Sequence, residues 1–198
     1  MKKTLFVLTL ATIASPALAE FPVGKVGVML SPKTDLEIGN GDADGTALGA
    51  YAEVGSTSLF AYASLNRADL DTRGVDIDVD ESRLGFGARS IQDKVELSLR
   101  VERYDIEIDV AGGAGDDDGV GVHLGGAFEL TGNAALFGSV GMLSLSDSDG
   151  TEFELGVRGK ITDSAELYGA WRSLSLEDDS TNTDADLTDL RIGVNLLF

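Results

Sequence analysis

The chain carries a single histidine, His123, and therefore a single side chain that titrates near neutrality without help. A histidine base activates a serine hydroxyl, or works beside a carboxylate, when a further group orients it. Neither arrangement is legible here: Leu124 and Gly125 follow His123, so there is no His-x-Ser, and no Gly-x-Ser-x-Gly occurs. A histidine hydrogen-bonded within a polar network accounts for the residue more simply. Oxygen ligands offer a second chemistry. Asp42 and Asp44 among glycines, Asp116-Asp117-Asp118 between Gly115 and Gly119, Asp147 and Asp149 beside Gly150, and Asp178-Asp179 after Glu177 group carboxylates with glycine, as calcium sites do. None has the spacing of an EF-hand loop with its distal glutamate, so no firm metal site is expected. Solvated, mutually repelling segments are the plainer reading, with Ca2+ or Mg2+ at most loosely bound at the surface and no other cofactor. The third chemistry is ionic. Arg83, Arg89, Arg100, Arg158, Arg172 and Arg191 recur beside Glu96, Glu102, Glu129 and Glu154 within apolar-alternating stretches.

Those charges need elements to hold them, and the pattern supplies strands. Val95, Leu97, Leu99 and Val101 alternate with Glu96, Ser98, Arg100 and Glu102; Phe153, Leu155, Val157 and Ile161 alternate with Glu152, Glu154, Arg158 and Lys160. Leu84, Phe86 and Ala88 oppose Arg83 and Arg89, and Val120, Val122, Leu124 and Phe128 oppose His123 and Glu129. A period of two with one apolar face is a β-strand. Strands are expected at 23–30, 46–54, 58–68, 80–91, 94–108, 119–130, 134–145, 151–161, 165–176 and 187–198. Gly55-Ser56-Thr57, Gln92-Asp93, Thr131-Gly132-Asn133 and Thr162-Asp163-Ser164 read as short turns. Five stretches, 31–45, 69–81, 105–118, 146–152 and 177–189, hold 25 of the 34 acidic residues and read as long loops, all at the end opposite the short turns.

The amino terminus has the pattern of an export signal. Lys2 and Lys3 precede an apolar run, Leu5 to Ile13, and a small-residue site at Ala17-Leu18-Ala19. Residues 1–19 are therefore set aside as a cleaved signal peptide, leaving 20–198 as one domain. The formal charge of −19 excludes nucleic acid as a partner, and the lack of cysteine removes disulfides, thiolate chemistry and lipidation. No apolar run is long enough for a membrane helix. A ten-stranded barrel has an interior that side chains can fill, which gives the inward Arg and Glu residues somewhere to neutralise each other. Phe60, Tyr62, Phe137, Tyr168 and Trp171 are expected in aromatic girdles at the membrane interfaces.

The last strand alternates Leu190, Ile192, Val194 and Leu196 with Asp189, Arg191, Gly193 and Asn195, and ends at Phe198. With the export signal and the alternating strands, this resembles the small bacterial outer-membrane barrels related to the membrane domain of outer membrane protein A. The resemblance implies an all-β fold: a single antiparallel up-and-down transmembrane β-barrel, of ten strands by this count, with the eight of the usual small members as the alternative. It implies location in the outer membrane of a Gram-negative bacterium and Phe198 as the signal read by the barrel-assembly machinery. Outer-membrane lipids and lipopolysaccharide would be the partners. The expected role is structural or surface-interactive; a narrow porin-like channel for ions or small solutes is the second reading. Some barrels of this kind are lipid-modifying enzymes or proteases that use a histidine with serine or acidic residues, but the surroundings of His123 argue that this chain is not an enzyme. A soluble periplasmic barrel binding an apolar ligand is the fallback.

Overall fold

The computed structural model describes residues 23–39, 41–72, 74–110, 113–178 and 184–198. Ten strands run β1 (Val23–Ile38), β2 (Gly41–Gly55), β3 (Leu59–Thr72), β4 (Val75–Gln92), β5 (Val95–Val110), β6 (Gly113–Thr131), β7 (Ala134–Leu145), β8 (Ser148–Thr162), β9 (Ala165–Asp178) and β10 (Asp184–Leu197). Each pairs antiparallel with its neighbours in sequence, and β1 pairs with β10, so the sheet closes on itself with no free edge. The count is ten, not eight. At the short-turn end Asp93 takes a left-handed φ of 53°, which aspartate tolerates better than most residues.

The five acidic stretches are not long loops. Strand pairing continues through most of them, and among the described residues the connections include Gly39, at φ 58°, and Gly74, at φ 83°. The reason lies in the residues themselves. Val75-Asp76-Ile77-Asp78-Val79-Asp80 and Asp105-Ile106-Glu107-Ile108-Asp109-Val110 keep a period of two with β-branched residues at alternate positions. The first strand also outruns its expected end at residue 30. Pro32 has no N–H to give the ladder, and a bulge between Leu30 and Lys33 accommodates it. The bulge changes the phase: Gly27, Met29 and Ser31 point inward before it, Thr34 and Leu36 after it.

Two levels of the barrel are inverted relative to each other. Towards the short turns the outer wall is apolar and exposed, as at Leu84, Phe86 (74% exposed), Leu97, Leu124, Met142 and Ile192, while the inside is charged. Towards the other end the outer wall carries Asp, Glu, Thr and Ser, and the inside is an apolar core that includes Leu36, Leu70, Val79, Tyr104, Ile106, Leu143, Leu174 and Leu187. The switch happens at one level. Going up each strand, Leu65 gives way to Arg67 outside as Asn66 gives way to Ala68 inside, and Val101 gives way to Arg103 as Glu102 gives way to Tyr104. The longest strand, β6, has 19 residues. At a rise of about 3.3 Å per residue and a tilt near 45°, a strand of that length climbs about 45 Å, well above a lipid-facing band about 25 Å tall.

Candidate functional site: a lumen closed by ion pairs

The sharpest cluster of chemistry lies inside the barrel, at the level where the two faces invert. Arg172 of β9 is 0% exposed. It donates from Nη2 to Glu81 Oε2 at 2.5 Å and from Nη1 to Glu81 Oε1 at 2.8 Å. β9 and β4 stand five places apart in the ring of ten, so this pair spans the full diameter. Arg172 also donates to Glu152 Oε2 (3.2 Å from Nε) and to Asp189 Oδ2 (3.3 Å). Arg83 of β4 shares two of these carboxylates, donating to Glu152 Oε2 at 2.5 Å and Glu81 Oε2 at 3.1 Å, and also donates to Glu102 Oε1 at 3.2 Å. Its guanidinium lies 4.5 Å over the Tyr104 ring, whose hydroxyl donates to Glu81 at 2.7 Å. Arg191 donates from Nε to Asp189 at 2.5 Å and from Nη1 to Glu154 at 3.4 Å.

A second tier lies nearer the short turns. Arg89 donates to Glu53, which also faces Lys25 at 3.5 Å. Arg158 donates to Glu96 at 3.3 Å, and Asn195 bridges Tyr51 and Glu166. Arg100 faces Glu102 at 2.6 Å. Burial makes such networks costly when incomplete, because a charge without a partner in a low-dielectric interior has lost its water for nothing. Of the residues expected in the lumen, Glu129 stands at the short-turn end of β6 and forms no ion pair among the described residues. Glu81, Asp189, Glu53, Glu166 and Lys25 were not singled out by the sequence. Glu81 and Asp189 lie where the acidic stretches overlap the expected strands 80–91 and 187–198, and their strand parity, two residues from Arg83 and Arg191, is the signal that places them inside.

Four of the five expected girdle aromatics point inward instead. Tyr51, Tyr62, Tyr168 and Phe137 form a chain of rings with centroids 6.3–6.4 Å apart, and Phe60 lies under Arg89. Only Trp171 faces outward, against Phe153. The cause is visible in the register. Phe60 is directly opposite Gly87, Phe137 opposite Gly156, Tyr168 opposite Gly193 and Tyr51 opposite Gly27. A Cβ on any of these glycines would fall within 2.1–2.5 Å of the facing ring. Each glycine is the space its aromatic fills.

His123 obeys the same rule, its ring filling the space over Gly141, the residue opposite it. It is 2% exposed, and Glu102 Oε1 lies 3.1 Å from its Nε2. No serine or threonine hydroxyl hydrogen-bonds it among the described residues; the polar group beside it is a carboxylate.

The carboxylates read as cation ligands are spread over strands. Along β6, Asp116 and Asp118 point outward, and Asp117 turns inward to accept from Ser148 Oγ at 2.6 Å. Asp42, Asp44, Asp149 and Asp178 likewise lie on strands, Asp147 lies in the β7–β8 turn, and Asp179 is outside the described residues, as is the export segment 1–19. Alternation sends neighbouring carboxylates to opposite faces, and no three metal-ligating side chains converge among the described residues. What they form is a collar. Asp35 lies opposite Asp44, Asp44 opposite Asp71, Asp69 opposite Asp78, Asp78 opposite Asp109, and Glu107 opposite Asp116. Arg67 and Arg103 interrupt it: hydrogen bonds to Asp69 and Asp105 respectively, helped by neighbouring aspartates, raise both guanidinium groups above their ordinary range.

Phe198 closes the seam. Its N–H donates to Gly24 O at 3.0 Å, its carbonyl accepts from Gly24 N at 2.7 Å, and its ring covers the face of Gly24.

No family model and no curated protein matches the chain. Among solved structures it is similar to Neisserial surface protein A, with 15% identity over 88% of this chain and 97% of that one, at a TM-score of 0.52. It is also similar to the outer membrane protease OmpT of Escherichia coli, with 11% identity over 89% of this chain and 97% of that one, at a TM-score of 0.53. At these identities the likeness is one of architecture, and the chain has the closed antiparallel fold of the outer-membrane β-barrels.

Proposed function

We propose that this protein is an outer-membrane barrel with a closed lumen, serving the cell envelope as a structural or surface-interacting element rather than as an enzyme or an open pore. The observation that carries this reading is the Arg172–Glu81 pair across the full diameter, roofed by the apolar core. An ion crossing the barrel would have to displace both. The exposed apolar belt supports a lipid environment, since soluble monomers rarely expose a contiguous apolar surface of that extent. The acidic collar would then stand outside the membrane, screened by divalent cations loosely held between it and lipopolysaccharide phosphates. Phe198, at the point of closure, suits a signal read during assembly.

The second reading, a narrow channel, is favoured by the space that remains below the network. Single-channel recording of the refolded protein in planar bilayers separates the two. A closed barrel is silent and keeps its heat-modifiable electrophoretic mobility; stable, discrete conductance steps would put the channel first.

A further inference from the structure

Below the diameter-spanning network lies a cavity of about 180 Å3. One wall is made of small side chains, because the inward positions of β5, β6 and β7 at this level are Ser98, Gly125, Ala127 and Ser139. Arg100, the next inward residue of β5 after Ser98, reaches along the wall to β3, where its guanidinium lies 4.3 Å over the Tyr62 ring. The network above closes the cavity. Towards the short turns Glu96 and Arg158 are about a quarter exposed, so that end is the more open one.

Arg100 differs from its neighbours. Arg83, Arg89, Arg158, Arg172 and Arg191 all donate hydrogen bonds to carboxylates. Arg100 has the Glu102 carboxylate beside Nε, without an aligned hydrogen bond, and its two Nη groups donate to nothing among the described residues. Its side chain is 22% exposed, into the cavity it lines. The hydroxyls of Ser98, Ser139 and Tyr62 line the same space and also make no hydrogen bond among the described residues.

A planar guanidinium with two free amino groups, held over an aromatic ring, is built to receive a carboxylate through two parallel hydrogen bonds. A cavity of about 180 Å3 holds several water molecules and admits an occupant of a few non-hydrogen atoms. Glu96 and Glu154 border the space, each held by an arginine, and would repel a second negative charge.

We infer that this cavity is a binding site for a small monocarboxylate. The carboxylate lies on the Nη groups of Arg100, and a hydroxyl or other oxygen of the ligand lies among Ser98 and Ser139. The inference rests on the closed-lumen reading only in that the site is a dead end. Binding and conductance are separate measurements, so either can fail alone.

The test is equilibrium dialysis of radiolabelled lactate against the refolded barrel in detergent micelles, with lactamide, an uncharged analogue of the same size, as competitor. The expected result is saturable uptake of one lactate per barrel, unaffected by lactamide. Arg100→Gln should weaken it at least tenfold. Ser139→Leu, which fills the cavity without touching an ion pair, should abolish it. Heat-modifiable mobility reports whether each variant is folded, and should Arg100→Gln fail to fold, Ser139→Leu carries the decision. Absence of saturable uptake by the unaltered protein, competition by lactamide equal to that of lactate, or uptake unchanged in a folded variant would overturn the site.

Discussion

Arg172 shows how much a single side chain can hold in a lumen. Its guanidinium serves Glu81, Glu152 and Asp189, three carboxylates that are themselves buried. Arg172→Ala should cost about 3–5 kcal/mol, the usual consequence of stranding buried charges, read as a fall in the urea midpoint of the refolded barrel. Arg67→Ala, on the exposed outer wall, should shift the midpoint by no more than ~1 kcal/mol, as exposed pairs do. Gly141 gives a sharper test. A Cβ there would sit 2.4 Å from the His123 ring, so Gly141→Ala should destabilise the barrel in the presence of His123 and much less in a His123→Ala background. A double-mutant cycle of unfolding free energies checks this coupling. At this scale the sequence was half readable. The arginines stood out because each interrupts an apolar alternation, whereas Phe60, Tyr62, Phe137 and Tyr168 sit in strands with small residues on both faces, where neither side is marked as the lipid side. Pairing each with the glycine opposite it requires the register, which no single strand contains.

A strand that is both a membrane element and the wall of a soluble-like core must change sides without changing period. β4 does so between Leu84 and Asp80 outside and between Arg83 and Val79 inside. Composition alone misled here, since Asp-rich segments read as loops; the alternation within 75–80 and 105–110 was the better guide. Because these segments are paired sheet, protease added to the collar side of reconstituted vesicles should leave residues 75–110 uncut under conditions that digest an unstructured acidic peptide, as checked by mass spectrometry. The opposed carboxylates of the collar repel, each such pair costing a few tenths of a kcal/mol up to about 1 kcal/mol. Raising salt to about 1 M, where screening acts within about 3 Å, should therefore slow amide hydrogen exchange in Ile77, Val79, Ile106 and Ile108 while leaving the membrane-level strands unchanged. Leu174→Ala, in the apolar core behind the collar, should lower stability by about 2–5 kcal/mol, measured by the same urea titration.

For the whole molecule, the closed ring of ten follows from strand count and from the lack of any edge that lipid could tolerate, and both were legible before the structure. What was not legible is the height of the barrel, because height depends on how many acidic residues are sheet. The inversion of its faces has a mechanical consequence. Below the switch the outer wall suits hydrocarbon; above it stands a ring of carboxylates, each costing about 2.5–3.5 kcal/mol at the centre of a bilayer. Once the hairpins have crossed and the apolar core has set behind them, withdrawal would drag the whole charged head through the lipid or require the core to come apart first. Seated in an outer membrane, the collar would behave as the head of a rivet, opposing withdrawal once insertion is complete.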